Sequence, residues 1–501
     1  MTKTVGANVF RTDGRSKVTG DALYVDDLDL GSDFLWGMTI RSTVPRAKLI
    51  DIIYDESFDW SGITCVDHRT LAERGWKNCI FLEEEDQPAL AEGEIRHMYE
   101  PVVLMACADA ERLEEAFHHV EIVTEVLPPV LSIEDAKNGP RIYKDDNLLY
   151  KLNINKGDVD AGFAEADLVL EGRYYVGYQE QMYIETQGIA ARPLPGGGIW
   201  VCGSLQCPYY IVKAFKHLFG YGEDKIQVVQ AVTGGGFGGK EEYPSMIAAH
   251  TALLALVSGQ TVKIIYERGE DVASTTKRHP AYIHHKTGLK RDGTIVAQHV
   301  VTDFDGGAYV TLSPVVLSRG LIHAAGAYRC DNVRINGLMW ATNTPPNGAF
   351  RGFGNPQVIF AAERHVDALA DAIGMDPLAF RRHNMLLLGD TTSTGQTLSE
   401  SVGGLECLDT VLEGSDYVSA RAEADAFNAS AAADGSPVRR GVGLSFFFHG
   451  AGFTGNGEAW LKGKADVALT EAGGISIHTA STDIGQGVDT IFPQLAAEEA
   501  G

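Results

Sequence analysis

Gly234-Gly235-Gly236-Phe237-Gly238-Gly239-Lys240-Glu241 and Phe350-Arg351-Gly352-Phe353-Gly354-Asn355-Pro356-Gln357 decide the reading of this 501-residue chain. Glycine lacks the Cβ that holds a backbone away from its neighbours, so each segment can lie directly against a large ligand. Each also carries a phenylalanine and a charged side chain, Glu241 or Arg351. The local pattern is close backbone approach, an aromatic wall and a fixed charge. Taken singly, each segment reads equally well as a tight turn, because glycine loops are common punctuation. Two of them in one chain are far more specific. Lys225–Val232 reads as a strand feeding the first loop, and Tyr243–Val257 as an apolar, alanine-rich helix leaving it.

The length argues for about two to four domains. A hydrophobic fraction of 45% with 22% charged residues is ordinary for a soluble globular protein. The formal charge of −25 argues against a nucleic-acid partner, since phosphates demand a basic face. No run approaches the roughly 18 apolar residues that span a bilayer. The start, Met1-Thr-Lys-Thr-Val-Gly6, has neither an apolar signal core nor twin arginines, so a cytoplasmic location is expected. Seven cysteines (Cys65, Cys79, Cys107, Cys202, Cys207, Cys330, Cys407) include no Cys-x-x-Cys pair. That spacing argues against a self-contained zinc or iron–sulfur site and for reduced, buried thiols.

Residues 1–126 alternate short apolar runs (Phe34–Ile40, Pro101–Cys107) with a helical stretch at Asp109–Phe117 and a strand at Val120–Val126, a mixed α+β unit. Residues 127–149, rich in proline, charge and asparagine, read as a linker over a surface. Residues 150–419 read as a larger α/β unit. Its helices are expected at Tyr209–Leu218, opened by Pro208, and at Glu363–Ile373 and Asp376–Met385, separated by Gly374. Residues 420–440 read as a helix decaying into a linker. A further unit over 441–501 is expected to hold strands at Leu444–Phe448 and Ala465–Leu469 and a helix opening at Thr490. At about 60 residues it is too short to close its own core, so a truncated or split chain is expected.

The two glycine segments resemble those of the molybdenum-cofactor subunit of the xanthine dehydrogenase and aldehyde oxidase family. Arg11-Thr-Asp13-Gly-Arg-Ser-Lys17-Val-Thr-Gly20 is similar to the family's opening. Thr342-Asn-Thr-Pro-Pro-Asn-Gly-Ala-Phe-Arg-Gly-Phe353 resembles one of its most characteristic strings, and Asp483-Ile484-Gly485-Gln486-Gly487 its third cofactor-contacting loop. The resemblance runs from about Val5 to the last residue. It implies an α+β / α/β multidomain fold: a small hammerhead domain over 1–126, a first molybdopterin-binding α/β domain over 150–419, and the incomplete start of a second over 441–501. It also implies molybdopterin as cofactor, with [2Fe-2S] and FAD on partner subunits and a further chain carrying the rest of the molybdenum domain as a candidate partner.

Gln206 stands at a strand end before the Pro208 helix, where its amide can donate toward an oxygen ligand of a metal and the helix N-terminus adds positive potential. Read without the resemblance it is an ordinary cap. With it, Gln206, Phe237 and Arg351 match positions around the molybdenum centre. Gly235, Gly236 and Gly238 match cofactor-contacting backbone, and Gln486 a position touching the pterin. Glu241 and Arg319 match substrate-contacting positions; their alternatives are an acid stabilised at a helix N-terminus and half of a buried ion pair. Together they resemble the purine-hydroxylating branch, because aldehyde oxidases usually lack both. Phe353 and Phe453 match two phenylalanines that pack on a flat heteroaromatic ring, and Thr454 a substrate hydrogen-bonding position. Phe446-Phe447-Phe448 offers competing aromatics, and core packing reads nearly as well for Phe453.

The family's general base, a glutamate in a Gly-Glu-Pro-Pro type motif, has no match and is expected outside this chain. The implied activity is hydroxylation of xanthine, hypoxanthine or a similar purine, with water as the oxygen source. A nicotinate or other N-heterocycle dehydrogenase with a split molybdenum subunit, an aldehyde oxidoreductase and a catalytically incomplete fragment are the alternatives.

Overall fold

The computed structural model describes residues 3–452 and 463–500. The runs before residue 127 form β1 (Leu35–Arg41), β2 (Ala47–Tyr54), β3 (Thr64–Val66), β4 (Glu94–Ile95), β5 (Pro101–Cys107) and β6 (Val120–Val126). There follow β7 (Leu148–Lys156), β8 (Leu168–Val176), β9 (Gly188–Pro193), β10 (Ile199–Gly203), β11 (Ile226–Gln230), β12 (Val262–Ile265), β13 (Ala281–Leu289), β14 (Ile295–Gly307) and β15 (Val333–Ala341). A hairpin of β16 (Ala465–Leu469) and β17 (Ile475–Thr479) comes last.

One sheet of seven strands runs β11-β10-β9-β12-β1-β5-β3. Its strand β5 is buried along its whole length, as an unbroken apolar run requires. The Pro244–Ser258 helix is apolar all round and correspondingly buried, with Leu253 and Leu254 in the same core as Leu35, Leu104, Ile189 and Val201. A second sheet, β7-β15-β14-β13-β8, carries the Ser313–His323 and Asn355–Ala372 helices on Phe304, Ile335, Leu317, Leu321 and Val358. A small third sheet, β4-β2-β6, shares a core with Leu113 and Ala116 of the Ala110–Phe117 helix. The first glycine loop leaves β11 of the seven-stranded sheet. The second joins β15 of the other sheet to the Asn355–Ala372 helix. The site lies at their junction.

The seven-stranded sheet draws strands from both sides of residue 126, with β1 paired in parallel to β12 through Leu35 and Val262, and over 420–440 the Tyr417–Ala433 helix gives way to irregular chain, as expected. Two expectations are corrected. Residues 127–149 are not a bare linker: they include the Ile133–Asn138 helix, capped by Ser132, and Val130, Ile133 and Ala136 are buried against Trp340. Leu444–Phe448 is not a strand. The Phe446 amide donates to the Glu363 carboxylate at 2.6 Å, and a side-chain acceptor thus replaces a neighbouring strand.

The β16–β17 hairpin alternates cleanly. Val467 faces Ile477 and Leu469 faces Ile475 on one face, while Asp466, His478 and Ser476 lie on the other. The apolar face is only partly covered by the Val488–Ala500 helix, so Val467 and Leu469 remain 67% and 83% exposed.

Candidate functional site

Gln206 follows β10 and precedes the Pro208–Phe219 helix, and three loops meet on it. Its side-chain Oε1 accepts from the Gly238 amide at 3.0 Å, fixing the first glycine loop. Its backbone amide donates to the Lys240 carbonyl at 2.7 Å. Its backbone carbonyl accepts from the Thr482 hydroxyl at 2.6 Å, fixing the loop that contains Gln486. The second loop joins through the Arg351 amide, which donates to the Phe237 carbonyl at 2.9 Å. With Oε1 committed, the Nε2 end of Gln206 has no acceptor among the described residues.

The glycines are required by contact. A Cβ on Gly236 would stand 2.3 Å from Gln206 Oε1, and one on Gly238 2.7 Å from the Ala349 carbonyl. Phe237 and Phe353 both adopt the left-handed conformation, each at φ 52°, between flanking glycines. Such a backbone costs about 1–3 kcal/mol for an L-residue. Phe237 is 46% exposed, with its ring edge over Gly235 of the same loop. The amides of Gly235, Gly236 and Phe237 have no acceptor among the described residues, nor does the exposed Arg351 guanidinium have an ion pair among them.

Glu241 leaves the same loop half-buried, with Cys207 and Tyr210 close by. Burial pushes its carboxyl up to about 8, with Glu242 adding to the rise and Arg319 opposing it. The group is therefore largely protonated at neutral pH. Arg319, on the Ser313–His323 helix, is lowered by burial, which an ionised Glu241 would oppose, and the two form no contact ion pair. Its guanidinium donates to His449 Nε2 at 3.1 Å and the Gly450 carbonyl at 3.2 Å, and it also holds the Gly452 carbonyl. Arg319 thus anchors the chain immediately before Phe453 and Thr454, which lie outside the described residues. Phe353 is half-buried beside the second loop. Both ends of the Gln486 amide are spent in its own loop, on Ile484 N at 2.7 Å and the Thr482 carbonyl at 2.8 Å.

Sequence reasoning missed the supports behind these loops. Lys240 is fully buried and bonds Ser204 Oγ at 2.7 Å and Glu185 Oε2 at 3.1 Å, while the same carboxylate oxygen accepts from Gly234 N at 2.6 Å. Arg278 is buried with no carboxylate partner among the described residues; it donates to the Arg351 carbonyl at 2.9 Å and stacks 3.9 Å over Phe350. Burial lowers it to about 10. The one available signal was Lys240, a charge inside a glycine-rich run that must find partners once buried; Arg278 sits in the polar run Thr275–Pro280 and carries no such signal.

Comparison with known proteins accounts for this arrangement. The family described as Molybdopterin cofactor-binding domain matches residues 142–385 and, in a second form, 410–501. The Aldehyde oxidase and xanthine dehydrogenase, a/b hammerhead domain matches residues 19–128. The nicotinate dehydrogenase large molybdopterin subunit of Eubacterium barkeri is 32% identical over 82% of this chain and 96% of its own length. The chain belongs to the xanthine dehydrogenase and aldehyde oxidase family of molybdenum hydroxylases. A probable xanthine dehydrogenase subunit of Bacillus subtilis is 33% identical over 98% of this chain, which spans 64% of that relative's length. The aldehyde oxidoreductase of Desulfovibrio gigas superposes with a TM-score of 0.84 at 26% identity, covering 96% of this chain and 53% of that one.

In this family the site holds molybdopterin, and the residues here fit it. The first loop offers unclaimed amides at Gly235, Gly236 and Phe237, and the absence of a Cβ at Gly236 lets the loop pack directly on Gln206, whose own amide end is unclaimed. Among the described residues no His, Cys, Asp or Glu cluster is set to hold a metal ion directly. A metal at this site would arrive in the cofactor's own ligands. No helix among the described residues is long and apolar enough to cross a membrane.

Proposed function

We propose that this chain builds the molybdopterin site of a cytoplasmic hydroxylase acting on a purine-like heteroaromatic such as xanthine or hypoxanthine, with water as the oxygen source. The observation that carries the reading is the placement of Glu241 on the first glycine loop, its amide donating to the Gly238 carbonyl at 3.0 Å, with Arg319 near enough to oppose the rise of its carboxyl. When bound, molybdopterin supplies the metal-centred oxidation. Glu241 hydrogen-bonds a ring nitrogen, and Arg319 stabilises negative charge that develops on the heterocycle. Phe237 and Phe353 offer flat walls, each worth about 0.5–1.5 kcal/mol on a planar ring beyond its buried area. The unclaimed end of Gln206 donates toward the cofactor, and Arg351 adds positive potential at the second loop.

Electrons leave through iron–sulfur and FAD partner subunits in this reading, and the general base comes from protein outside this chain. Two relatives are themselves named as subunits, the Bacillus subtilis one of a probable xanthine dehydrogenase and the Eubacterium barkeri one of a nicotinate dehydrogenase. The uncovered apolar face at Val467 and Leu469 supports further polypeptide of the same fold packing on the hairpin. A nicotinate dehydrogenase is the second reading, favoured by the match over 96% of the Eubacterium barkeri subunit.

The experiment is to purify the protein with its native partners and compare kcat/KM for xanthine, nicotinate and an aromatic aldehyde, following incorporation of labelled oxygen from water. Preference for xanthine supports the proposal. Turnover of nicotinate alone transfers it to the second reading, and preference for the aldehyde overturns both.

A further inference from the structure

We propose that Arg11 and Asp13 are positioning residues for the third glycine loop, Thr482–Gly487, and that they set how firmly the cofactor is held there. The proposal rests on reading that loop as part of the molybdopterin site.

The loop's internal bonds, Gln486 to Ile484 N and the Thr482 carbonyl and Gly485 N to Asp483 Oδ1 at 2.8 Å, leave the Gly485 carbonyl uncommitted. Gly485 and Gly487 stand at φ +117° and +91°, so the peptide between Gly485 and Gln486 is free to rotate unless something fixes it. On one side the loop hangs from the first sheet, through Thr482 to the Gln206 carbonyl and through Gln230 Nε2 to the Asp483 carbonyl at 3.0 Å. The other side is held by the start of the chain. Arg11 Nε and Nη2 grip the two carboxylate oxygens of Asp13 at 2.9 and 2.8 Å. That grip leaves Nη1 to donate to the Gly485 carbonyl at 2.7 Å, with Asp483 3.6 Å from the same guanidinium. Lys17 braces Asp13 from the next turn. Thr12 adds bonds to Thr490 Oγ1 at 3.0 Å and the Asp489 carbonyl at 2.9 Å.

The consequence follows from peptide geometry. In a trans peptide the carbonyl and the following N–H point in opposite directions. Holding the Gly485 carbonyl on Arg11 therefore turns the Gln486 N–H to the opposite side of the loop, and that amide has no acceptor among the described residues. Arg11 selects one of two orientations of a glycine-flanked peptide and so presents a donor to whatever the loop contacts. Its side chain is 39% exposed and joins no core, which suits a device that orients a loop without holding the fold together.

The test uses the holoprotein with its partners and the variants Arg11→Ala, Arg11→Lys and Asp13→Asn. Hydrogen exchange is followed at residues 482–490 and, as an internal control, in the Pro244–Ser258 helix; release of molybdopterin is timed by the fluorescence of the freed pterin. In Arg11→Ala, exchange at the loop and cofactor release should both rise on the order of 3–10-fold, the scale of one partly exposed charge-assisted bond, with the control helix unchanged. Arg11→Lys should recover only part of this, because an ammonium cannot grip Asp13 with a planar fork while holding Gly485. Unchanged loop exchange, or an equal rise in the control helix, overturns the positioning role. Faster loop exchange with unchanged pterin release leaves the clasp and overturns its assignment to the cofactor.

Discussion

Replacing Gln206 with glutamate separates the two tasks of that side chain. Its Oε1 holds the first glycine loop through Gly238 N at 3.0 Å, while its Nε2 is the donor proposed to serve the cofactor. Glutamate keeps an oxygen for Gly238 and exchanges the donor for a second acceptor, so the loop contact survives and the donor does not. Alanine removes both, leaving the buried Gly238 amide without its acceptor at a cost of about 1–3 kcal/mol. A hydrogen bond to a charged or strongly polarised group contributes roughly 1.5–3 kcal/mol, which corresponds to a 10–100-fold change in rate if it acts in the transition state. The assay is steady-state turnover of the assembled enzyme at alkaline pH, where the new carboxylate is ionised, normalised to bound molybdenum and paired with thermal unfolding. Gln206→Glu should unfold close to wild type, with kcat down 10–100-fold and KM changed much less. Gln206→Ala should show the same loss of kcat plus the loss of stability. A kcat per molybdenum equal to wild type in Gln206→Glu would refute the donor role and leave only the loop-holding one.

Glu241→Gln tests the raised carboxyl. Folded Glu241 keeps its proton up to about 8 whereas its ordinary value is 4.5, so the wild type loses stability as pH rises through that window and no further above it. The Tm advantage of Glu241→Gln should therefore grow between these values and level off, and a pH-independent difference would count against the shift. Lys240→Met strips one partner from a buried ion pair and should cost about 3–5 kcal/mol in denaturant unfolding, since it leaves Glu185 uncompensated behind the loop; a loss under about 1 kcal/mol would mean the pair is not holding it. Glu241→Val should lower kcat/KM for xanthine relative to an aromatic aldehyde, because a site built for polar edges rejects substrate once a partner is missing. An unchanged ratio assigns Glu241 a structural role.

The sequence was most legible where one local cause dominates. The strands at Pro101–Cys107 and Val120–Val126 coincide with their expected bounds, because continuous burial and β-branched alternation leave little else for them to do. The glycine loops were legible because only close approach explains so many missing side chains together. What was not legible depends on partners distant in sequence. Leu444–Phe448 carries the right residues for a strand, yet Glu363 claims its amide. Residues 127–149 have a linker's composition, yet Asn147 is fully buried and its side-chain Oδ1 accepts from Ile142 N at 2.8 Å and Tyr143 N at 3.1 Å. Neither Glu185 nor Arg278 announces itself, because the loops they brace lie far along the chain.

These hidden supports explain how so acidic a protein presents a positive site. A net charge of −25 sets a field that repels anions at a distance. At the second loop the balance reverses locally. Arg278 is buried with no carboxylate in contact among the described residues, and its guanidinium is spent on neutral acceptors and the face of Phe350. Arg351, one residue on from that ring, has no ion pair among them either. At the end of the first loop Glu241 is held protonated near neutral pH by burial and so subtracts little. Glu185, whose carboxylate accepts from the Gly234 amide of that loop, is neutralised by Lys240. Negative charge is thus either paired behind the loops or switched off by burial, while positive charge is left uncompensated. A group arriving at Gln206 meets unclaimed amides and arginines without competing carboxylates, and that arrangement stabilises charge in a way the overall composition would not predict.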